Sequence, residues 1–406
     1  MVTPSIDKTR AKRAAWACIL LFFTFGFAVA SWLSRLPAVR DALDLQPTDL
    51  GTMLLIGSFG SLVALPSSGP LVGAIGARPT ARIGSTLWAV ALVGVALSVH
   101  ATSRAGLTAC LVVLNCGMSL WAATMNIEGG LVEAALRRIL LDKLHAMFSI
   151  GTVSGALVGA ALTRAGVDVT PHLIGTAFLG CTVVWVVSHF FLSEEDVRSF
   201  SVGATEQSEE RVKGRTRQAW GERRTVLIAI MVLSAGLLEG SANDWLALSM
   251  VDGYGYTAAQ GSAILSLFLA MMATVRLSST RLHRRFSADG LLRTLLILAC
   301  VGLVLVAFSP WRWLALVGVL LWAMGAALVF PTGASALSTN PSMTAARVSV
   351  LSTVNYGAFL IGPPVLGLVA EHVGYHRAMV VLIVPITVGI LLTKQVARPE
   401  DPSPAA

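Results

Sequence analysis

Apolar residues in this chain fall into long blocks rather than alternating with polar ones. Six blocks precede a polar stretch near the middle of the 406 residues and six follow it. The pattern predicts helices over 14–43, 49–75, 80–99, 105–136, 144–165 and 171–192. It then predicts helices over 224–251, 257–282, 288–308, 311–338, 344–373 and 377–397. Each is long enough to cross a bilayer, which takes about 20 apolar residues. Thr48, just after Pro47, reads as the N-cap of the second helix. The expected fold class is an all-α membrane protein with twelve transmembrane helices in two pseudo-symmetric six-helix bundles.

The central stretch, residues 193–222, mixes charges of both signs with Gly and Ser and holds no spanning run. It reads as a tether. The expected organisation is a tail (1–13), a first bundle (14–192), a linker (193–222), a second bundle (223–397) and a tail (398–406). Weak internal repetition agrees. At an offset of 210, Gly26 meets Gly236 and Gly51 meets Gly261; near 206, Gly151 meets Gly357. Duplicated bundles with a seam between them are a common transporter architecture.

Composition rules out a water-facing globule: 55% of residues are hydrophobic, 13% are charged and mean hydropathy is +0.74. The first block is long for a signal peptide, and no small-residue cleavage site follows it. Cys18, Cys110, Cys116, Cys181 and Cys300 all lie inside apolar blocks without ligand spacing, so neither disulfides nor a metal site is expected.

The net charge of +8 does not indicate nucleic acid, because the basic residues occupy alternate connections rather than one face. One set of connections holds most of them, including Lys8–Arg13, Arg137–Lys143, Arg211–Arg224 and Arg281–Arg293. The other set holds only Arg35, Arg40, Arg104, Arg164, Arg312 and Arg377. The positive-inside rule then puts both termini and the linker in the cytoplasm, with the chain in the cell membrane.

Ionisable residues inside spanning helices are costly and therefore candidates for function. The seventh helix has the densest cluster. Glu239 and Asn243 share a face at four-residue spacing, Asp244 is one step round, and Gly240 and Ser241 leave room for a ligand. The fourth helix offers Asn126 and Glu128; its Glu133 is expected to pair with Arg137 at i,i+4. Asn355 and Tyr356 precede Gly362-Pro363-Pro364, which should kink or break the eleventh helix. Trp32 and Trp121 are candidates for stacking on a solute, Trp32 also suiting the interfacial belt. Arg35 is expected to snorkel outward or to close an outer gate with an acid such as Asp244; Arg78 and Arg276 are further gating candidates. His145 opens the fifth helix, whose Gly151, Gly155 and Gly159 form a close-packing ridge. The candidate substrate contacts are thus Trp32, Trp121, Asn126, Glu239, Asn243, Asn355 and Tyr356. Glu239, Glu128 and Asp244 are the candidate proton carriers, Glu239 first. No nucleotide loop, metal cluster or other cofactor motif is present, and no enzyme constellation.

After the second helix, Gly69-x-x-x-Gly73-Ala74-x-Gly76-Ala77-Arg78 resembles the signature Gly-x-x-x-Asp-Arg-x-Gly-Arg-Arg of the major facilitator superfamily, with the Asp-Arg pair replaced. Arg276-Leu-Ser-Ser279-Thr280-Arg281 in the second half also lacks the expected Asp. Glu239 with Trp245, Phe330-Pro331-Thr332, and the stretch from His145 to Gly159 are similar to the fucose-permease-like branch. Its proton-coupling acids do not carry over: the first helix has none in its body, and Ala122 stands where the fourth-helix acid belongs. The resemblance implies alternating access about a cavity lined by helices 1, 4, 5, 7, 10 and 11. The expected function is secondary transport of a small polar organic solute such as a sugar, with protons as a candidate coupling ion and a monomer as the working unit. Efflux of amphipathic drugs or metabolites, and a non-transporting sensor or scaffold, are the alternatives.

Overall fold

The computed structural model describes residues 8–136, 140–192, 215–338 and 341–397. Among them, twelve helices are long and apolar enough to cross a membrane. They are α1 Thr9–Leu43, α2 Pro47–Ile75, α3 Ala77–His100, α4 Arg104–Leu136, α5 Lys143–Arg164 and α6 Val169–Phe190. The second six are α7 Arg223–Tyr254, α8 Ala258–Leu277, α9 Ala288–Phe308, α10 Arg312–Leu337, α11 Ala346–Val373 and α12 Tyr375–Val396. Most of the linker, residues 193–214, lies outside the described residues; its end, 215–221, is helical.

Two compact units form. The first contains α1–α6 together with Tyr256–Ser266, the opening of α8; the second contains α7, the rest of α8 from Leu267, and α9–α12. In a bilayer, apolar surface gains little by leaving lipid, so helices associate where small residues let backbones approach. In the first unit α1 packs on α5 this way. A methyl group on Gly26 would strike the Phe148 carbonyl, and methyl groups on Gly151 and Gly155 would strike those of Phe23 and Phe27. The second unit repeats the device between α7 and α11, where Gly236 faces the backbone of Asn355 and the Ala358 side chain. Gly26 and Gly236 are therefore true counterparts. Gly151 and Gly357 are not, since nothing lies within 4 Å of a Cβ built on Gly357.

Several helix ends differ from expectation for local reasons. Helix α1 is interrupted after Leu33 and resumes at Leu36. Pro37 has no N–H for the Leu33 carbonyl, so the ladder fails there. Helix α10 is interrupted at Leu328 (φ −111°, ψ −7°) for the same reason, since Pro331 has no N–H for the Ala327 carbonyl. Helix α8 ends at Leu277, and a short helix Ser279–Arg285 follows after the Ser278–Ser279 notch. By contrast, the helix Pro341–Val373 runs unbroken through Pro363 and Pro364. Membrane helices accommodate such prolines by local backbone adjustment. The α2 N-cap is Gln46, not Thr48: Gln46 and Asp49 form a reciprocal capping box, with Gln46 N–H donating to Asp49 Oδ2 at 3.2 Å. The one-residue connection from α2 to α3 needs Gly76 at φ +87°, a conformation that favours glycine.

Candidate functional site

The second unit holds Glu239, Asn243, Asp244, Arg276, Asn355 and Tyr356. Pro331 leaves the Ala327 carbonyl of α10 without its helical donor, and Arg276 of α8 fills the vacancy. Its Nε donates to Ala327 O at 3.1 Å, and its Nη2 donates to Glu239 Oε2 of α7 at 2.8 Å. Arg276 thus ties three helices together. Both charged side chains keep some exposure, 29% for Arg276 and 26% for Glu239.

Just beyond Glu239, α7 changes its winding. Ala242–Leu246 form a π-helical turn between two α-helical pieces. Such turns insert one extra residue, re-aim side chains and recur at functional sites. Asn243 and Asp244 sit on this turn, partly exposed, so the i,i+4 face expected for Glu239 and Asn243 does not continue regularly. Neither side chain has a hydrogen-bond or ion-pair partner among the described residues. Trp245, on the same turn, is buried against Tyr375 with ring centroids 5.6 Å apart. Asn355 of α11 lies against Gly236, one turn of α7 before Glu239, and its Oδ1 is buried without a donor. Tyr356 beside it is 48% exposed.

The first unit treats its candidates differently. Trp121 is fully buried, edge-on to Trp88 (5.3 Å) and Phe25 (5.2 Å), so it packs on protein rings rather than on a solute. Trp32 is also buried. Arg35 does not snorkel outward: it is 2% exposed, with Nε donating to His172 Nδ1 at 2.7 Å and Nη1 to Val167 O at 3.0 Å. The break ahead of Pro37 turns it inward to the start of α6. Glu128 is fully buried and its Oε1 accepts from the Leu192 N–H at 2.7 Å, where α6 has ended. Asn126 is exposed, donating through Nδ2 to Ala122 O at 2.8 Å.

Arg78 is a cap in this arrangement. Its Nε and Nη2 donate to the Ser188 and His189 carbonyls at 3.0 and 3.1 Å at the end of α6, where Ser188 O also accepts the Phe191 N–H. Glu133 does not wait for Arg137, which lies outside the described residues. Its Oε2 accepts the Leu140 and Leu141 N–H groups at 2.7 and 2.8 Å, satisfying donors at the start of the next helix. His145 lies edge-on to Phe22 at 5.3 Å. Near the start of α7, Arg347 donates to both oxygens of Glu222 (2.7 and 3.0 Å), and this pairing, aided by Thr225, holds the Glu222 carboxyl below the usual range against the opposing effect of burial.

Sequence reasoning missed three features: His172 as the partner of Arg35, the Ala327 carbonyl as the second anchor of Arg276, and the π turn. Pro331 was the available signal for the second. Among the described residues no group of His, Cys, Asp and Glu is placed to hold a metal ion, and the five cysteines are free.

Comparison with known proteins matches the family model of the Major Facilitator Superfamily to residues 16–356. The chain is 26% identical over 383 residues to the uncharacterized transporter y4wD of Sinorhizobium fredii (strain NBRC 101917 / NGR234), covering 90% of this chain and 96% of that one. Among solved structures, the nucleoside transporter NupG superposes with a TM-score of 0.75 at 13% identity, covering 94% of this chain and 98% of that one. The E. coli fucose:proton symporter FucP superposes at 0.61 and 14% identity, covering 95% and 98%. At such identities the structural likeness speaks to the fold.

Proposed function

The chain belongs to the Major Facilitator Superfamily, and on that premise we propose that this multi-pass membrane transporter carries a small polar, hydroxylated solute by alternating access. The observation that carries the reading is the Glu239–Arg276 pair, one turn of α7 beyond the Gly236 against which Asn355 lies with its Oδ1 buried and without a donor among the described residues. A buried acceptor without a donor costs about 1–3 kcal/mol. A hydroxyl of a sugar-like solute would supply the donor and accept in turn from the Asn355 amide. Tyr356 offers a half-exposed ring for stacking. Asn243 on the π turn is the remaining amide contact in this reading.

Proton coupling is assigned to Asp244 rather than Glu239. Glu239 is charge-balanced by Arg276. Among the described residues Asp244 has no cation beside it, and an ionisable side chain within a membrane span is by default a candidate for a proton relay. The basic connections support an orientation with both termini in the cytoplasm, and the working unit is taken as a monomer.

The test is a thermal-shift screen of purified protein against sugars, polyols, nucleosides, organic acids and amphipathic cations, followed by uptake into proteoliposomes. A hydroxylated solute should both stabilise the protein and be taken up. Asn355→Ala should weaken it about tenfold, the weight of one good hydrogen bond. Asp244→Asn should abolish accumulation driven by a proton gradient yet leave solute exchange. Uptake of amphipathic cations that ignores Asn355→Ala would turn the reading to efflux. Binding without flux would turn it to a sensor.

A further inference from the structure

A groove of about 320 Å³ runs along one face of α6, lined by Phe178, Cys181, Thr182, Trp185, Val186 and His189. Phe178, Trp185 and Val186 are well exposed, so the trough is open and apolar. The eleven steps from Phe178 to His189 rise about 16 Å at 1.5 Å per residue. That is close to one leaflet of a hydrocarbon core about 30 Å thick.

Two arginines of α3 close the His189 end. The Arg82 guanidinium lies over the Trp185 ring, 4.9 Å from its centroid. Its Nε donates to Ser188 Oγ at 3.0 Å, and its Nη2 donates to Trp185 O at 3.3 Å and lies beside the His189 ring nitrogens. Arg78, one turn earlier, donates to the carbonyls of Ser188 and His189. Two cations thus converge on the same two residues, and neither has an acidic partner among the described residues. In both, Nη1 has no partner among the described residues.

A half-bilayer-length apolar trough ending in two unbalanced guanidinium groups complements one kind of occupant. We propose that the α6 groove binds an anionic phospholipid, with one acyl chain along Phe178–Val186 and the headgroup phosphate across the free edges of Arg78 and Arg82. Arginine suits this task because its planar donors grip phosphate oxygens in pairs. The basic connections to which Arg78 and Arg82 belong face the leaflet that, in the orientation proposed above, carries the anionic lipids.

Delipidated full-length protein in detergent would be titrated with phosphatidylglycerol, with phosphatidylcholine of the same chains, and with inorganic phosphate, reading bound lipid by native mass spectrometry. Phosphatidylglycerol should be preferred over phosphatidylcholine. Arg82→Gln should weaken it about fivefold, the weight of one basic side chain at an anionic surface. Thr182→Trp, which fills the trough and leaves both arginines in place, should weaken it at least as much. Arg164→Gln, on another helix, should leave binding unchanged. Equal binding of the two lipids, or indifference to both Arg82→Gln and Thr182→Trp, would reduce the groove to ordinary lipid-facing surface. Competition by inorganic phosphate at equal potency would make it an anion site without a lipid and overturn the proposal.

Discussion

Removing Arg276 should cost far more than removing the acid it pairs with, because it serves two acceptors on two other helices. At about 4 Å between charge centres and an effective dielectric near 20, the attraction to Glu239 is about 4 kcal/mol. The side chains keep 29% and 26% of their exposure, and screening at that exposure cuts the net gain to about 1 kcal/mol. Glu239→Gln keeps an oxygen that can accept from Arg276, so about 1 kcal/mol is its expected cost. Arg276→Gln withdraws the donor from Glu239 Oε2 and from the Ala327 carbonyl. Each acceptor left unserved costs about 1–3 kcal/mol, more when charged; about 3 kcal/mol in total is expected. The double variant is the decisive measurement. Once the cation is gone, Gln at 239 no longer leaves a lone carboxylate, so the double variant should be about 1–2 kcal/mol more stable than Arg276→Gln alone. Equilibrium denaturation of the protein in mixed micelles, read by tryptophan fluorescence, provides the comparison. Additive losses, or an Arg276→Gln cost no larger than that of Glu239→Gln, would refute the three-helix tie.

Other consequences follow from single contacts. Gly151→Val should destabilise the first unit by about 3 kcal/mol or abolish folding, because a Cβ there falls on the Phe23 carbonyl; Gly130→Ala, with nothing within 4 Å, is the neutral control in a thermal melt. His172→Ala should cost about 3 kcal/mol by leaving the buried Arg35 Nε without its acceptor, Val167 O serving only Nη1. His172→Gln, which retains an acceptor, should recover much of that. Glu222→Gln should cost about 1 kcal/mol at neutral pH. Arg347 holds the folded carboxyl below its ordinary value, so this contribution is fully present above about pH 4.3 and is lost as pH falls through the lower folded value. The difference between wild type and Glu222→Gln in denaturation midpoint should therefore be flat from pH 7 to 5 and close on further acidification.

The twelve spans were legible because a bilayer demands an uninterrupted apolar length, and block length reports that directly. The helix pairing was partly legible: Gly26 and Gly236 have the same relation to α5 and α11, because close backbone approach needs glycine and little else will do. The offset near 206 misled, because Gly357 is a small residue without a neighbour. Helix interruptions were legible only where proline acts through its i−4 carbonyl. Pro37 and Pro331 interrupt their helices; Pro363 and Pro364 do not, and local sequence does not distinguish them. The π turn has no sequence signature of its own.

The arginines show most clearly what position in sequence leaves out. Read as isolated charges near helix ends, Arg35, Arg78 and Arg276 suggested gates. In the fold each donates to backbone carbonyls: Arg35 to Val167, Arg78 to Ser188 and His189, Arg276 to Ala327. Arg104 on Leu43 and Asp44, and Arg224 on Gln395 and Ala397, do the same. A helix leaves its last four carbonyls unpaired, and a membrane offers little water to cover them. A side chain with five donors on a long stem meets that need from another helix. Capping is therefore a recurrent occupation of the described arginines. Only a cation with a task beyond it stands out as a candidate for transport. Arg104 also pairs with Asp49 in the first turn of α2, whereas the acid that Arg276 holds lies deep in the sequence of its span. The Glu239 it holds is followed within one turn by the change in winding that presents Asn243 and Asp244.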